Sequence, residues 1–151
     1  RRVRLSAERA AVPMPDPHAP ISLTVYTDPV GKARPRVLKS GHTYTPERTV
    51  IAENTIAVAW RSRYGARKPW ARDIPLSVEI LAYLARPKSS KRTLPSVKPD
   101  SSNLLKLCED ALNGLAWEDD AQIVEAKITK LYDTVPRWVI WIREYGEVMG
   151  K

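Results

Sequence analysis

Between Ser101 and Leu115 the apolar residues Leu104, Leu105, Leu107, Cys108, Ala111, Leu112 and Leu115 recur at helical spacing. This predicts a helix from about Ser101 to Asn113, with Asn103, Lys106 and Asp110 sharing its polar face. Asn113-Gly114 then supplies a left-handed stop. A second helix is expected in "TPERTVIAENTIAVAWRSRYG", with Thr45 as cap, Pro46 in the first position and Glu47 at the positive end of the dipole. Its buried side would be Val50, Ile51, Ile56, Val58, Ala59 and Trp60, and Gly65 would end it. Elsewhere the period is two. "ISLTVYTD" reads as a strand from Ile21 to Asp28, and "GHTY" as a short extended or hairpin segment. "PLSVEILAYLA" places Leu76, Val78, Ile80, Ala82 and Leu84 on one face. "AQIVEAKITKLY" and "RWVIWIRE", separated by Pro136, are expected to pair as an antiparallel hairpin. The order β-α-β-α-β-β predicts an α/β fold of the α+β type: one small domain, a mixed sheet and two helices packed on one face.

Composition adds boundaries. A chain of 151 residues fits one domain, expected over residues 21–145. Residues 1–20 read as a basic, proline-rich tail and 146–151 as a short C-terminal tail. No apolar run is long enough to span a bilayer, and "RRVRLSAERA" lacks the apolar stretch of a signal peptide. No membrane association is expected, and the cytoplasm is the expected location. Cys108 is the only cysteine and falls in an apolar pattern, so it reads as a buried hydrophobe in a reducing compartment. One Cys with the distant His18 and His42 does not make a zinc site.

Charge changes the picture more. Lys and Arg total 25 against 17 Asp and Glu, a net charge of +8. That balance suits a polyanionic partner, most simply nucleic acid. The excess is clustered: "ARPKSSKRTLPSVKP" carries Arg86, Lys88, Lys91, Arg92 and Lys98 without an acid, and "GKARPRVLKSG" carries Lys32, Arg34, Arg36 and Lys39. Both read as loops, from which cations can reach phosphates.

Against this basic background stand Asp100, just before the second helix, and Asp119-Asp120, just after it. Hydrolysis of a phosphodiester at neutral pH calls for a hard divalent cation, and Mg²⁺ takes one or two carboxylates while keeping several waters. Read singly, an Asp before a helix is a cap and "DD" at a turn is a solvated loop. A 13-residue helix is also about 20 Å long. The two acidic positions can meet only if the chain folds sharply back, if the helix is shorter, or if other loops, including those of a second subunit, complete the site.

Taken together, "KPDSSNLLKLCEDALNGLAWEDDAQIVEAKITK" resembles the RusA family of Holliday-junction resolvases. That family's signature runs K-P-D-x-D-N-L-x-K, then D-A-L, then D-D-x-Q-[IV], then a strand ending in Lys. The upstream "GKARPRVLKSGHTYTPERT" is similar to the family's K-x-R-P-R and Y-T-P stretch. The resemblance covers roughly residues 21–144. It implies a homodimeric, Mg²⁺-dependent endonuclease that resolves four-way DNA junctions, often encoded by phages or prophages, with Mn²⁺ as a possible substitute ion. By matching position, Asp100 and Asp120 are the catalytic, metal-binding carboxylates, with Asp119 contributing and Lys106 stabilising phosphate charge. Asn103 and Asp110 fall on the same polar helix face. Arg34 and Arg36 match basic residues assigned to DNA contact, and Lys32, Lys91, Arg92, Lys98 and Asn103 are further expected DNA contacts. Ser102 departs from the pattern, which has Asp there. It stands at a metal-ligand position as a weaker, neutral donor. Three readings stay open: compensation by Glu118, Asp119 or water; a relative that binds branched DNA without cutting; or a serine introduced to inactivate. A protein-interaction module docking an acidic partner is a further alternative. Trp138 and Trp141 are expected either on an intersubunit surface or, for Trp138, in the core.

Overall fold

The computed structural model describes residues 19–146. The expected tails at 1–20 and 146–151 fall almost wholly outside them. Six strands and two helices follow in the order β1 (Ile21–Val25), β2 (Arg36–Val37), β3 (Thr43–Tyr44), α1 (Glu47–Tyr64), β4 (Leu76–Leu84), α2 (Ser101–Leu112), β5 (Ile123–Tyr132) and β6 (Arg137–Glu144). A single 3-10 turn, Asp120–Gln122, precedes β5. The fold is the expected small α/β domain. Strands β2 and β3 form the separate hairpin around "GHTY".

The main sheet has the order β1-β6-β4-β5. Contrary to the hairpin expected from the sequence, β5 and β6 do not pair. Strand β5 lies parallel to β4, and β6 lies antiparallel to both β4 and β1. The reason is burial. Trp138, Ile140 and Ile142 of β6 are fully buried, so that strand gains most in the sheet centre. Val124, Glu125, Ala126 and Lys127 of β5 are exposed and suit an edge. Crossing over β4 spans two strand spacings, about 10 Å, which four residues of connection can reach. Asp133 N donates to Leu84 O at 3.0 Å, fastening that connection to the end of β4.

The helices cover one face. Leu76, Val78, Ile80, Ala82 and Leu84 of β4 are all buried, as the alternation predicts. All but Leu84 pack in one core with Leu104, Leu107, Cys108 and Leu112 of α2 and with Ile56 and Trp60 of α1. Trp138 belongs to this core and so cannot form an intersubunit surface, whereas Trp141 is 45 % exposed. In α1 the buried residues are Thr49, Ile56, Ala57 and Trp60. Val50, Ile51 and Val58 are exposed, contrary to the sequence reading, because they lie off the stripe that meets α2 and the sheet. Pro46, not Thr45, occupies the N-cap of α1, and Gly65 caps its end with ordinary right-handed angles. Gly114, at φ +79°, supplies the left-handed reversal after α2.

Candidate active site and nucleic-acid surface

The acidic residues stand at two ends of one construction, the β4–α2–β5 crossover. At the first end, the loop arriving from β4 is held by Lys130. Its ammonium donates to Val97 O at 2.6 Å and to Pro99 O at 3.0 Å. Lys130 lies in register with Ala82 of β4, on the sheet face covered by the helices, and this contact is what a lysine there satisfies. Asp100 then caps α2 through its backbone: Asn103 N and Leu104 N both reach its carbonyl oxygen at 3.1 Å. Its carboxylate makes no capping hydrogen bond and is exposed, as is Ser102.

The basic loop after β1 presses against this helix end. Lys32 N donates to Asn103 O at 2.8 Å. A Cβ on Gly31 would sit 3.0 Å from Asn103 Cβ and 3.2 Å from Pro99 Cβ, so the close approach favours glycine. Between loop, hairpin and helix lies a cleft of about 600 Å³ lined by Lys32, Arg36, Arg48, Lys98, Asp100 and Asn103, among others. The fold thus gathers four of the expected DNA contacts, Lys32, Arg36, Lys98 and Asn103, around Asp100. Arg34, Lys91 and Arg92 are exposed but do not line the cleft. Arg92 is occupied within its own loop, donating to Ser96 Oγ at 2.8 Å. Arg48, in the first turn of α1, went unnoticed in the sequence because only the folding of the loop onto α2 brings it near Asp100.

Lys32 has a further engagement. Its ammonium lies 2.6 Å from Glu53 of α1 and 2.9 Å from Asp110 of α2, joining the two helices. Asp110 also holds Lys106 at 2.9 Å along α2. Burial alone would raise the Asp110 carboxyl, but its hydrogen bonds to Lys106 and Lys32 outweigh it and hold the group below its ordinary value. Lys106 is held above its ordinary value, chiefly by the Asp110 hydrogen bond.

At the second end the chain reverses through Gly114, whose N–H donates to Trp117 O at 2.8 Å. The reversal is stitched to the segment before β4: Trp70 N reaches Ala116 O at 2.9 Å, and Glu118 N reaches Trp70 O at 3.2 Å. Asp119 caps the short turn, accepting from Ala121 N at 2.9 Å while Gln122 Oε1 accepts from Asp119 N at 2.9 Å. The buried Gln122 amide also donates to Ala71 O at 2.7 Å and Ile74 O at 3.1 Å. The D-x-x-Q spacing is a readable sign of this capping box. Glu118 accepts from Arg72 N at 2.9 Å, so its carboxylate serves the local backbone.

Asp120 projects from this turn with Trp117 Nε1 donating to its Oδ1 at 2.7 Å. Burial pushes its carboxyl above the ordinary value; Trp117 and Lys106 oppose this, and Asp110 and Asp119 add to it. Burial likewise raises Glu109, with the Asp120 charge second. Asp120 therefore lies beside the Lys106–Asp110 stretch of α2. The sharp fold-back does occur, and it returns Asp120 part of the way towards Asp100. Among the described residues no group of three or more His, Cys, Asp or Glu is placed to hold a metal. The candidate donors are all oxygens: the carboxylates of Asp100, Asp119 and Asp120 and the hydroxyl of Ser102. They fit a hard, largely hydrated cation that takes one or two carboxylates, and they do not form a closed cage.

Two comparisons with known proteins bear on this arrangement. "Uncharacterized protein YqaN" of Bacillus subtilis (strain 168) is 32% identical over 139 residues, covering 82% of this chain and 96% of that protein. A sequence model of endodeoxyribonuclease RusA matches residues 27–143. That span takes in the basic loop, the cleft, both ends of α2 and all but one residue of the closing strand. The chain belongs to the RusA endodeoxyribonuclease family.

Proposed function

We propose that the protein is a structure-selective endodeoxyribonuclease that cuts four-way or otherwise branched DNA with a divalent cation, Mg²⁺ or in its place Mn²⁺. The observation that carries this reading is the cleft in which Arg36, Arg48 and Lys98 surround Asp100. A single exposed carboxylate among cations suits a phosphate and a metal ion together: the cations draw the backbone in, and the carboxylate keeps a place for the ion. Asp100 and Asp120, with Asp119 beside the latter, are the residues that would hold the ion. Bound Mg²⁺ supplies an activated water and offsets charge on the phosphate. Lys106, held by Asp110 beside Asp120, would stabilise phosphate charge at that end. Selectivity for branched DNA would come from backbone contacts to several duplex arms rather than from base edges.

The protein would act as a homodimer, because two symmetry-related sites match two strands of a junction. The separation of Asp100 and Asp120 along α2 gives a second subunit a further role, that of bringing a complementary carboxylate to each end. A second reading, binding without cutting, rests on Ser102, exposed next to Asp100 and lacking the charge of a carboxylate. One experiment addresses both. Incubate the parent and Ser102→Asp with a synthetic mobile four-way junction and Mg²⁺ or Mn²⁺, and look for paired nicks. Cutting by the parent, increased in Ser102→Asp at low Mg²⁺, supports the first reading. Tight junction binding with no nicks in either protein supports the second.

A further inference from the structure

Trp117 and Trp138 are both fully buried, yet their indole N–H groups fare differently. Among the described residues that of Trp138 has no hydrogen-bond partner, whereas that of Trp117 donates to Asp120 Oδ1 at 2.7 Å. A charge-assisted bond of this length is strong, and it leaves the two oxygens of Asp120 unequal. Among the described residues no hydrogen bond reaches Oδ2. Lys106 acts on Asp120 through charge alone, since its ammonium is bonded to Asp110. The backbone around the indole is fixed as well, by the Trp70 bridge and by Gly114.

We infer that Trp117 is a positioning residue that leaves Oδ2 as the freer oxygen of Asp120 for a cation, so that the site takes Mg²⁺ in preference to Ca²⁺. This rests on the reading of Asp120 as a metal-holding carboxylate. Mg²⁺ is small, demands near-octahedral geometry, keeps its waters and is served well by one carboxylate oxygen. Ca²⁺ takes more oxygens at longer distance and gains from a carboxylate that offers both. An indole N–H seated on Oδ1 opposes that two-oxygen grip. Partners one step removed from a metal tune it in this way, by fixing the orientation of the group that ligates it.

The test titrates Mg²⁺ alone and Ca²⁺ alone into the full chain by calorimetry. The proteins are the parent, Trp117→Phe, and a chain carrying 3-benzothienylalanine at 117, which keeps the indole outline but replaces N–H by sulfur. Asp120→Asn is the control for the site. The parent should bind Mg²⁺ more tightly, and loss of the N–H should shift the Mg²⁺-to-Ca²⁺ affinity ratio towards Ca²⁺ by roughly tenfold. Circular dichroism of the benzothienyl chain should match the parent. An unchanged ratio in that chain overturns the inference. So does an equal fall for both ions, which a packing role alone would produce. If the parent binds neither ion in a manner that Asp120→Asn removes, the metal reading of Asp120 fails first and the inference falls with it.

Discussion

The two ends of α2 each present an aspartate, but they hold it differently. Asp100 is exposed, makes no side-chain capping bond and shares a cleft with Arg36, Arg48 and Lys98. Asp120 is half-buried, bonded to a core tryptophan, on a turn fixed by the Asp119 capping box and the Gln122 amide. At one end the surroundings are cations on loops that a polyanion can meet. At the other they are packed side chains that preset one carboxylate. The same residue type is thus placed once by electrostatics and once by packing, and substitutions should separate the two.

The largest expected effect is on cutting. Under the proposed function, Asp100→Asn and Asp120→Asn should each lower junction cleavage by on the order of a hundredfold or more. Their side effects should differ. Asp100→Asn removes a negative charge from a cationic cleft and should tighten junction binding in a gel-shift titration. Asp120→Asn removes a charge that burial already disfavours, as the raised carboxyl indicates, and keeps an oxygen for the Trp117 N–H. Its melting temperature should not fall below the parent's. If Asp100→Asn weakened binding, or Asp120→Asn melted several degrees lower, the contrast between the two ends would be broken.

A smaller effect belongs to the cations. Arg36→Ala, Arg48→Ala and Lys98→Ala should each weaken binding to many DNA sequences alike, and each should flatten the slope of log affinity against log salt by about 0.9. Lys91→Ala and Arg92→Ala, outside the cleft, should do less. Equal losses at both groups would show that the cleft is not where the phosphates lie.

The smallest effect is on acid stability. Asp110 is held below its ordinary carboxyl value of 3.8, so the folded state binds its proton less readily than the unfolded chain. Its contribution is therefore present above that value and lost as pH falls through the lower folded one. Lys32 and Lys106 are raised above 10.5, so their contributions persist until pH rises past it. Because these groups are partly exposed, the contribution is about 1 kcal/mol or less. Urea unfolding of Asp110→Asn should show a reduced loss of stability below about pH 4 relative to the parent. An identical acid limb would mean that the Lys32–Asp110–Lys106 cluster adds nothing to the fold.

Much of this arrangement is legible in the sequence, for physical reasons that also mark its limit. The extent of α2 follows from the spacing of Leu104, Leu107, Cys108, Ala111 and Leu112, and that of β6 from the alternation of Trp138, Ile140 and Ile142. Alternation says which face of a strand is buried but not which strand lies beside it, so the insertion of β6 between β1 and β4 was beyond it. In α1, Val50, Ile51 and Val58 are apolar without being inward: the helical period sets them off the face of Thr49, Ile56 and Trp60, but their apolar character hides it. The aspartates stand out through their spacing around α2. Trp117 and Lys130 acquire partners, and Arg48 its place in the cleft, only once the reversal, β5 and the basic loop are in place. A lysine among the inward positions of β5 was the one visible sign.

The position of β6 also has a consequence for how the protein is made. It is the last strand of the described residues, yet it is central, pairing with β1 more than a hundred positions earlier in the chain. Contacts so distant in sequence close slowly. During synthesis β4 can meet β5 but must keep its other edge open until residue 144 has been added. A nascent chain can therefore form the β4–α2–β5 crossover with both aspartates before its core is sealed. Emergence of Arg137–Glu144 is the event that commits the chain to its finished fold, and until then the open edge of β4 is its point of exposure to aggregation.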